Sequence, residues 1–258
     1  MLHRQLILGV ASLALFSSLH SIAEAQGTRL RENNDQERPR PAAVSGIITE
    51  RLSRKDRQRW SAIERIVFAE DSSGQMRHPT LRSLWEWVEA SGHAIYIEFI
   101  GPHRASTCTA GSFSIEKLDP QGKRHEAVIR LHLSNIDQAY VGPRAARADN
   151  FIPFEGLNKE ERYAEVLGHE LAHSAFILGD LRRAEMVEEL VEQTNEMLLT
   201  QAQRAGEPIG QEMRQRIIKR DSFLKDLEAQ AEMMEAAVWR EIFASKKLSA
   251  RHLIAGKK

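Results

Sequence analysis

One cysteine, Cys108, is the whole thiol content of the chain. No intrachain disulfide can form, so a packed core or a metal must stabilise the fold. Cys108 itself reads as a small, semi-buried residue. Excess charge is missing too: 36 Lys and Arg face 36 Asp and Glu, which removes the electrostatic basis for binding nucleic acid or another acidic polymer. No apolar run reaches the roughly 20 residues needed to span a bilayer, so stable membrane insertion is not expected.

The chain has 258 residues, of which 42% are hydrophobic, enough for one large domain or a core with a helical appendage. Arg4, the apolar run from Leu6 to Phe16 and the Ala23-Glu24-Ala25 site together read as a cleavable signal peptide over residues 1–25. Export to a periplasm or out of the cell is therefore expected. Residues 26–46 are charged, contain Asn and Pro and almost no large apolar side chain, the composition of a disordered linker.

The folded part is expected to begin near Ile47 with helices. Between Ser53 and Ala69, Trp60, Ile63, Ile66 and Val67 recur at helical spacing among charged residues. A second helix, Thr80 to Ala90, is entered through Pro79 and left through Gly92. The period then drops to two. Ile95, Ile97 and Phe99 alternate with Tyr96 and Glu98, and two further alternating runs flank Asp119-Pro120-Gln121-Gly122, a type I turn signature that predicts a hairpin. Ile129, Leu131 and Leu133 should face the core, with Arg130 and His132 opposite. From Asn158 onward the pattern is helical, broken at Gly179-Asp180 and between Ala205 and Gly210. Met213, Ile217, Leu224, Leu227, Ala231, Met234 and Val238 then follow a loose heptad. That stripe reads as a packed helix or helix pair; a dimerising coiled coil is the alternative, although Arg220 interrupts it.

The chemistry concentrates in "GHELAH", residues 168–173. Asn158 followed by Glu161 resembles a capping box and Gly179 can close a helix in the left-handed conformation, so the motif should lie on a helix from Lys159 to Leu178. There His169 and His173 stand about 40° apart in azimuth and about 6 Å apart in rise, which lets two imidazoles converge on one ion. Glu170, turned away by about 100°, can serve as a general base instead of a ligand. Gly168 carries a helix penalty of about 1 kcal/mol relative to Ala, which suggests close approach of a backbone or substrate. A bare H-E-x-x-H is a weak signal; its place on an exported chain, after a hairpin and before a carboxylate-rich helix, strengthens it.

"HELAH" with a downstream glutamate resembles the zincin metallopeptidases, specifically the gluzincin type. The metzincin pattern is excluded because Phe176 and Gly179 stand where glycine and histidine would be required. The resemblance implies an α+β, zincin-like fold: a small, mostly antiparallel sheet packed on an active-site helix in a catalytic domain over 47–200, then a helical C-terminal subdomain over 201–258. It implies a Zn²⁺ cofactor held by His169, His173 and a glutamate. The family's usual spacing points to Glu192. An antiparallel return after Gly179-Asp180 points instead to Glu188, nearest the edge of the buried stripe, with Glu189 a third choice. A Tyr, His or Arg usually stabilises the oxyanion in such sites; Tyr140, Tyr163 and His132 are candidates, and none is fixed by a motif.

The resulting expectation is an exported zinc metallopeptidase acting on peptides or proteins, with Glu170 catalytic. By analogy, the strand from Val128 to Ser134 is a candidate edge for an extended substrate. Two rivals stand beside this reading: an inactive cell-envelope binding protein on a zincin scaffold, and a zinc amidase acting on a non-peptide amide.

Overall fold

The computed structural model describes residues 45–101, 109–121, 124–139, 154–203 and 211–255. The signal peptide, nearly all of the linker, Cys108 and Tyr140 lie outside them. No helix among the described residues is long and apolar enough to cross a membrane. The chain divides into two compact units, one comprising Val44–Ala184 with Leu224–Lys258, the other including Glu185–Phe223.

In the first unit, strand β1 (Gly46–Ile48) leads into helix α1 (Arg54–Val67) and helix α2 (Pro79–Ala90). The Ser53 hydroxyl accepts from the Asp56 N–H and caps α1, satisfying one of the donors that a helix start leaves open. Trp60, Ile63 and Val67 fall on one face and are buried, and Trp60 stacks on Trp85 of α2 at 5.3 Å. Proline in the first turn of α2 and Gly92 at φ 77° just beyond it bound that helix as the sequence indicates.

Strands β2 (Ala94–Ile100), β3 (Gly111–Lys117) and β4 (Glu126–His132) complete a four-stranded sheet in the order β1-β2-β4-β3. The β3–β4 pair is the expected hairpin, but β1–β2 and β2–β4 are parallel. The sheet is therefore mixed, not mostly antiparallel. Parallel pairing joins strands that are remote in sequence and leaves no local turn signature. β4 is also an interior strand, not an edge, with Ala127, Val128, Ile129, Leu131 and His132 all buried. Leu133 leaves the strand to begin the short helix α3 (Leu133–Asp137). Arg130 stays on the more polar face, bonding Glu98, Glu116 and Ser114.

At the other end of the sheet two buried histidines meet. His93 and His125 stack at 4.7 Å. The His125 N–H donates to His93 Nδ1 (3.1 Å), and the Asp119 N–H of the hairpin turn donates to His125 Nδ1 (3.0 Å).

Helix α4 (Lys159–Leu178) runs through the middle of the unit. Both arms of its capping box form: the Glu161 N–H donates to Asn158 Oδ1 and the Asn158 N–H to Glu161 Oε2. Gly179 ends it right-handed, at φ −69°, not in the left-handed conformation. A Cβ there would stand 2.5 Å from the Ala175 carbonyl oxygen, so the glycine answers a lack of space. Gly168 is explained the same way: a Cβ would lie 3.0 Å from Val238 Cγ2 and 3.5 Å from Leu81 Cδ1. The approach inferred from the sequence is made by neighbouring helices, not by a substrate.

Helices α5 (Leu181–Gln203) and α6 (Gln211–Ala255) complete the described chain, each shared between the two units. In the C-terminal part of α6, Leu227, Ala231, Glu235, Val238 and Ile242 form the buried face. Glu241 accepts from the Thr80 N–H at the start of α2 (3.0 Å), so this part of α6 is joined to the core by charge-assisted bonding as well as by apolar packing.

Candidate metal centre

α4 is buried on almost every side, and the polar side chains it carries inward are therefore the unusual ones. His169 and His173, one turn apart, present both Nε2 atoms to one point, 3.1 Å from each other, with their rings in a T arrangement. Glu228 of α6 closes on the same point. Its Oε1 lies 3.6 Å from His169 Nε2 and its Oε2 3.4 Å from His173 Nε2. These three side chains form the one such group found among the described residues. Tetrahedral zinc with ligand bonds near 2.0–2.2 Å holds its donor atoms about 3.3–3.6 Å apart. The two carboxylate–imidazole separations fall in that range and the 3.1 Å between the Nε2 atoms lies just below it, and two imidazoles with one carboxylate leave a fourth coordination position open.

A second carboxylate fixes the first imidazole. Glu235 Oε2, itself buried, lies 3.1 Å from His169 Nδ1. When Nδ1–H donates to it, the lone pair of Nε2 faces the ligand point. Burial disfavours a charged His169, yet the hydrogen bond to Glu235 and the charges of Glu235, Glu170 and Glu228 outweigh it and lift the group to about 10. Three carboxylates around two imidazoles make a pocket that favours positive charge, whether protons or a metal dication supply it.

Glu170 sits beside this group and does not join it. Its carboxylate is buried, and Oε2 has no hydrogen-bond partner. Burial raises its pKa; His169 and His173 pull it down, and Glu228 and Glu235 add to the rise. A carboxylate with a raised pKa accepts a proton more readily than an ordinary one. At the start of β3, Gly111 abuts this carboxylate: a Cβ on that residue would stand 2.5 Å from Glu170 Oε1.

Comparison with protein-family models, curated proteins and solved structures gave no match. The site thus stands on its own geometry.

His169, Glu170 and His173 are brought together as their spacing indicates. The carboxylate that the structure adds to them is Glu228, two helices later, where the sequence pointed to Glu188, Glu192 or Glu189. Those three are exposed side chains of α5 in the other unit, and Glu189 accepts from Gln193. A loose heptad conceals Glu228 and Glu235 in the sequence. They lie two helical turns apart beside Leu227, Ala231 and Val238, and a carboxylate recurring on an apolar stripe is the signal that could have found them.

The suggested oxyanion donors have other positions. Tyr163 donates its hydroxyl to Asp137 (2.8 Å), and burial with that bond raises its pKa. His132 is buried with Nε2 3.4 Å from Ser112 Oγ. Its side chain lies on the sheet face opposite Leu131, whose register partner Gly111 faces Glu170.

Proposed function

We propose that this protein is a zinc-dependent hydrolase of peptide bonds, with His169, His173 and Glu228 as metal ligands and Glu170 as general base and acid. The observation that carries the reading is the convergence of two Nε2 atoms and one carboxylate beside a buried, unpartnered glutamate oxygen. Zinc bound there would supply a Lewis acid and bring the pKa of water toward neutrality.

The residues of the chain then divide the work. His169, oriented by Glu235, and His173 hold their Nε2 lone pairs toward the ion. Glu170 accepts a proton from the attacking water as its oxygen bonds to the scissile carbonyl carbon, then passes that proton to the amine nitrogen as the C–N bond breaks. Burial around Glu170 limits competition from bulk water for this proton.

The outer edge of β3 in the described sheet favours a peptide over another amide. Gly111 and Leu131 are register partners, and the His132 N–H donates to Ala110 O, so Gly111 occupies a non-hydrogen-bonded position in the ladder. Its own N–H and C=O point away from β4, on the side where β3 has no partner among the described strands. An extended chain can bond there beside Glu170. The leader read from the sequence assigns this activity to the periplasm or the exterior of the cell.

The test is metal analysis joined to digestion of a mixed peptide library by the zinc-loaded protein. About one zinc per chain and defined cleavage products are expected. A well-folded chain that takes up no zinc at saturating concentration rejects the metal centre. Zinc uptake without cleavage of any peptide rejects the peptidase.

A further inference from the structure

Gly111 has an ordinary backbone. It is absent from the positive-φ glycines among the described residues, Gly46, Gly74, Gly92 and Gly156, so any L residue could adopt its conformation. Its strand position is also one where glycine is unfavourable. Space explains it. A Cβ at residue 111 would stand 2.5 Å from Glu170 Oε1, 2.9 Å from Glu170 Cγ and 2.7 Å from Val166 Cγ1.

Neither side of this contact has much freedom to withdraw. β3 is tied to β4 by the ladder and by the bond from the His132 N–H to Ala110 O at 2.9 Å, and its register partner Leu131 is fully buried. Val166 is buried on α4. The Glu170 carboxylate is the one movable neighbour, and its Oε2 has no hydrogen-bond partner to hold it. Packing, not bonding, sets the Oε2 position, and the bare face of Gly111 is the wall against Oε1 and Cγ of the same side chain.

We propose that Gly111 is a positioning residue for Glu170. Its missing side chain is the notch in which the carboxylate rests beside His169 and His173, and a methyl group in the notch displaces the base from the metal centre without touching a ligand. The role in catalysis rests on the hydrolase reading above; the steric coupling does not.

Two measurements separate these. In metal-free protein, G111A is expected to lower the urea midpoint, and to lower it much less in an E170A background, where both Glu170 contacts are gone. Equal losses in the two backgrounds overturn the proposal whatever the protein catalyses. If G111A alone does not fold, G111A/E170A is expected to fold, and a double variant as unfolded as the single one overturns it as well. In zinc-loaded protein, with a quenched fluorescent peptide drawn from the cleaved library members, G111A is expected to keep its zinc and its KM while kcat falls about a hundredfold, the scale of an ångström misplacement of a reacting group. On an E170Q background the same substitution should change kcat no further. Unchanged kcat in G111A, or a further fall in the E170Q background, overturns the positioning role. A wild-type protein that cleaves nothing rejects the hydrolase reading instead, and the urea comparison still decides the coupling.

Discussion

Glu235 Oε2 lies 3.1 Å from His169 Nδ1, so a carboxylate on α6 fixes the ring of a histidine on α4. Replacing Glu235 with alanine should leave three ligands in place and weaken zinc binding about 10–100-fold, the usual effect of losing an outer hydrogen bond to a metal-bound imidazole. Competition against a chelator of known affinity measures this. Unchanged affinity would show that His169 is oriented by something else.

The third ligand is open to direct comparison. Glu228→Ala should abolish stoichiometric zinc, as His169→Ala should, whereas Glu188→Ala and Glu192→Ala should retain it. Elemental analysis of the four proteins after dialysis decides the matter. Loss of zinc on changing residue 188 or 192 would return the ligand to α5.

Glu170→Gln preserves shape and removes the proposed base. Zinc content and thermal midpoint should match the wild type, with hydrolysis reduced about 10²–10⁴-fold, the range for loss of a positioned proton-transfer group. Retention of most activity would assign the proton elsewhere.

Acid should weaken the fold through histidines outside the metal centre. Burial, with Arg77 nearby and only partly offset by Glu161, lowers His78 from 6.5 to about 4. Burial lowers His93 too, with His125 adding to the effect and Leu178 O and Asp119 opposing it; burial lowers His125 against Asp119. The unfolded chain therefore takes up these protons first. Their contribution to stability is present above the unfolded value of 6.5 and is lost as pH falls toward the folded values, about 4 for His78. His169, raised to about 10, works in the opposite direction over the same window, so the share of His78 is read as a difference: acidification from about pH 7.5 to about pH 5 should lower the urea midpoint less, or raise it more, in His78→Phe than in the wild type. The same pH profile in both proteins would count against it.

Gly168 sets helix propensity against packing. Alanine gains about 1 kcal/mol within a helix, but its methyl would lie 3.0 Å from Val238 Cγ2, on a side chain with no exposed surface. Overpacking costs about 1–3 kcal/mol, so Gly168→Ala should be destabilising by roughly 1 kcal/mol. Adding Val238→Ala should remove the clash, and thermal unfolding of both variants reads the outcome.

These residues also mark what was legible in the sequence. Local signals worked: the limits of α4 follow from Asn158, Glu161 and Gly179, and the β3–β4 hairpin follows from alternation around Asp119-Pro120. Pairings between remote segments left no such trace. Nothing near Ala94 or Glu126 announces a parallel neighbour, and the long helix that packs on β4 is distant from it in sequence. Gly168 and Gly179 were recognisable as constrained positions, but side chains of other helices crowd the first and the Ala175 carbonyl of its own helix crowds the second. The ligand set divides in the same way. His169 and His173 share a turn of helix, whereas Glu228 reaches them only through the tertiary fold.

The separation of donors along the chain gives the site an order of assembly. A ribosome translates the histidines and Glu170 well before it reaches Glu228 and Glu235, and a polypeptide halted between them contains two of the three candidate ligands. Two imidazoles alone hold a metal weakly, so the proposed hydrolytic capacity would arise only after α6 has been synthesised and has docked. On the proposed function, a nascent chain would thereby be spared its own chemistry while it is still unfolded and open to cleavage.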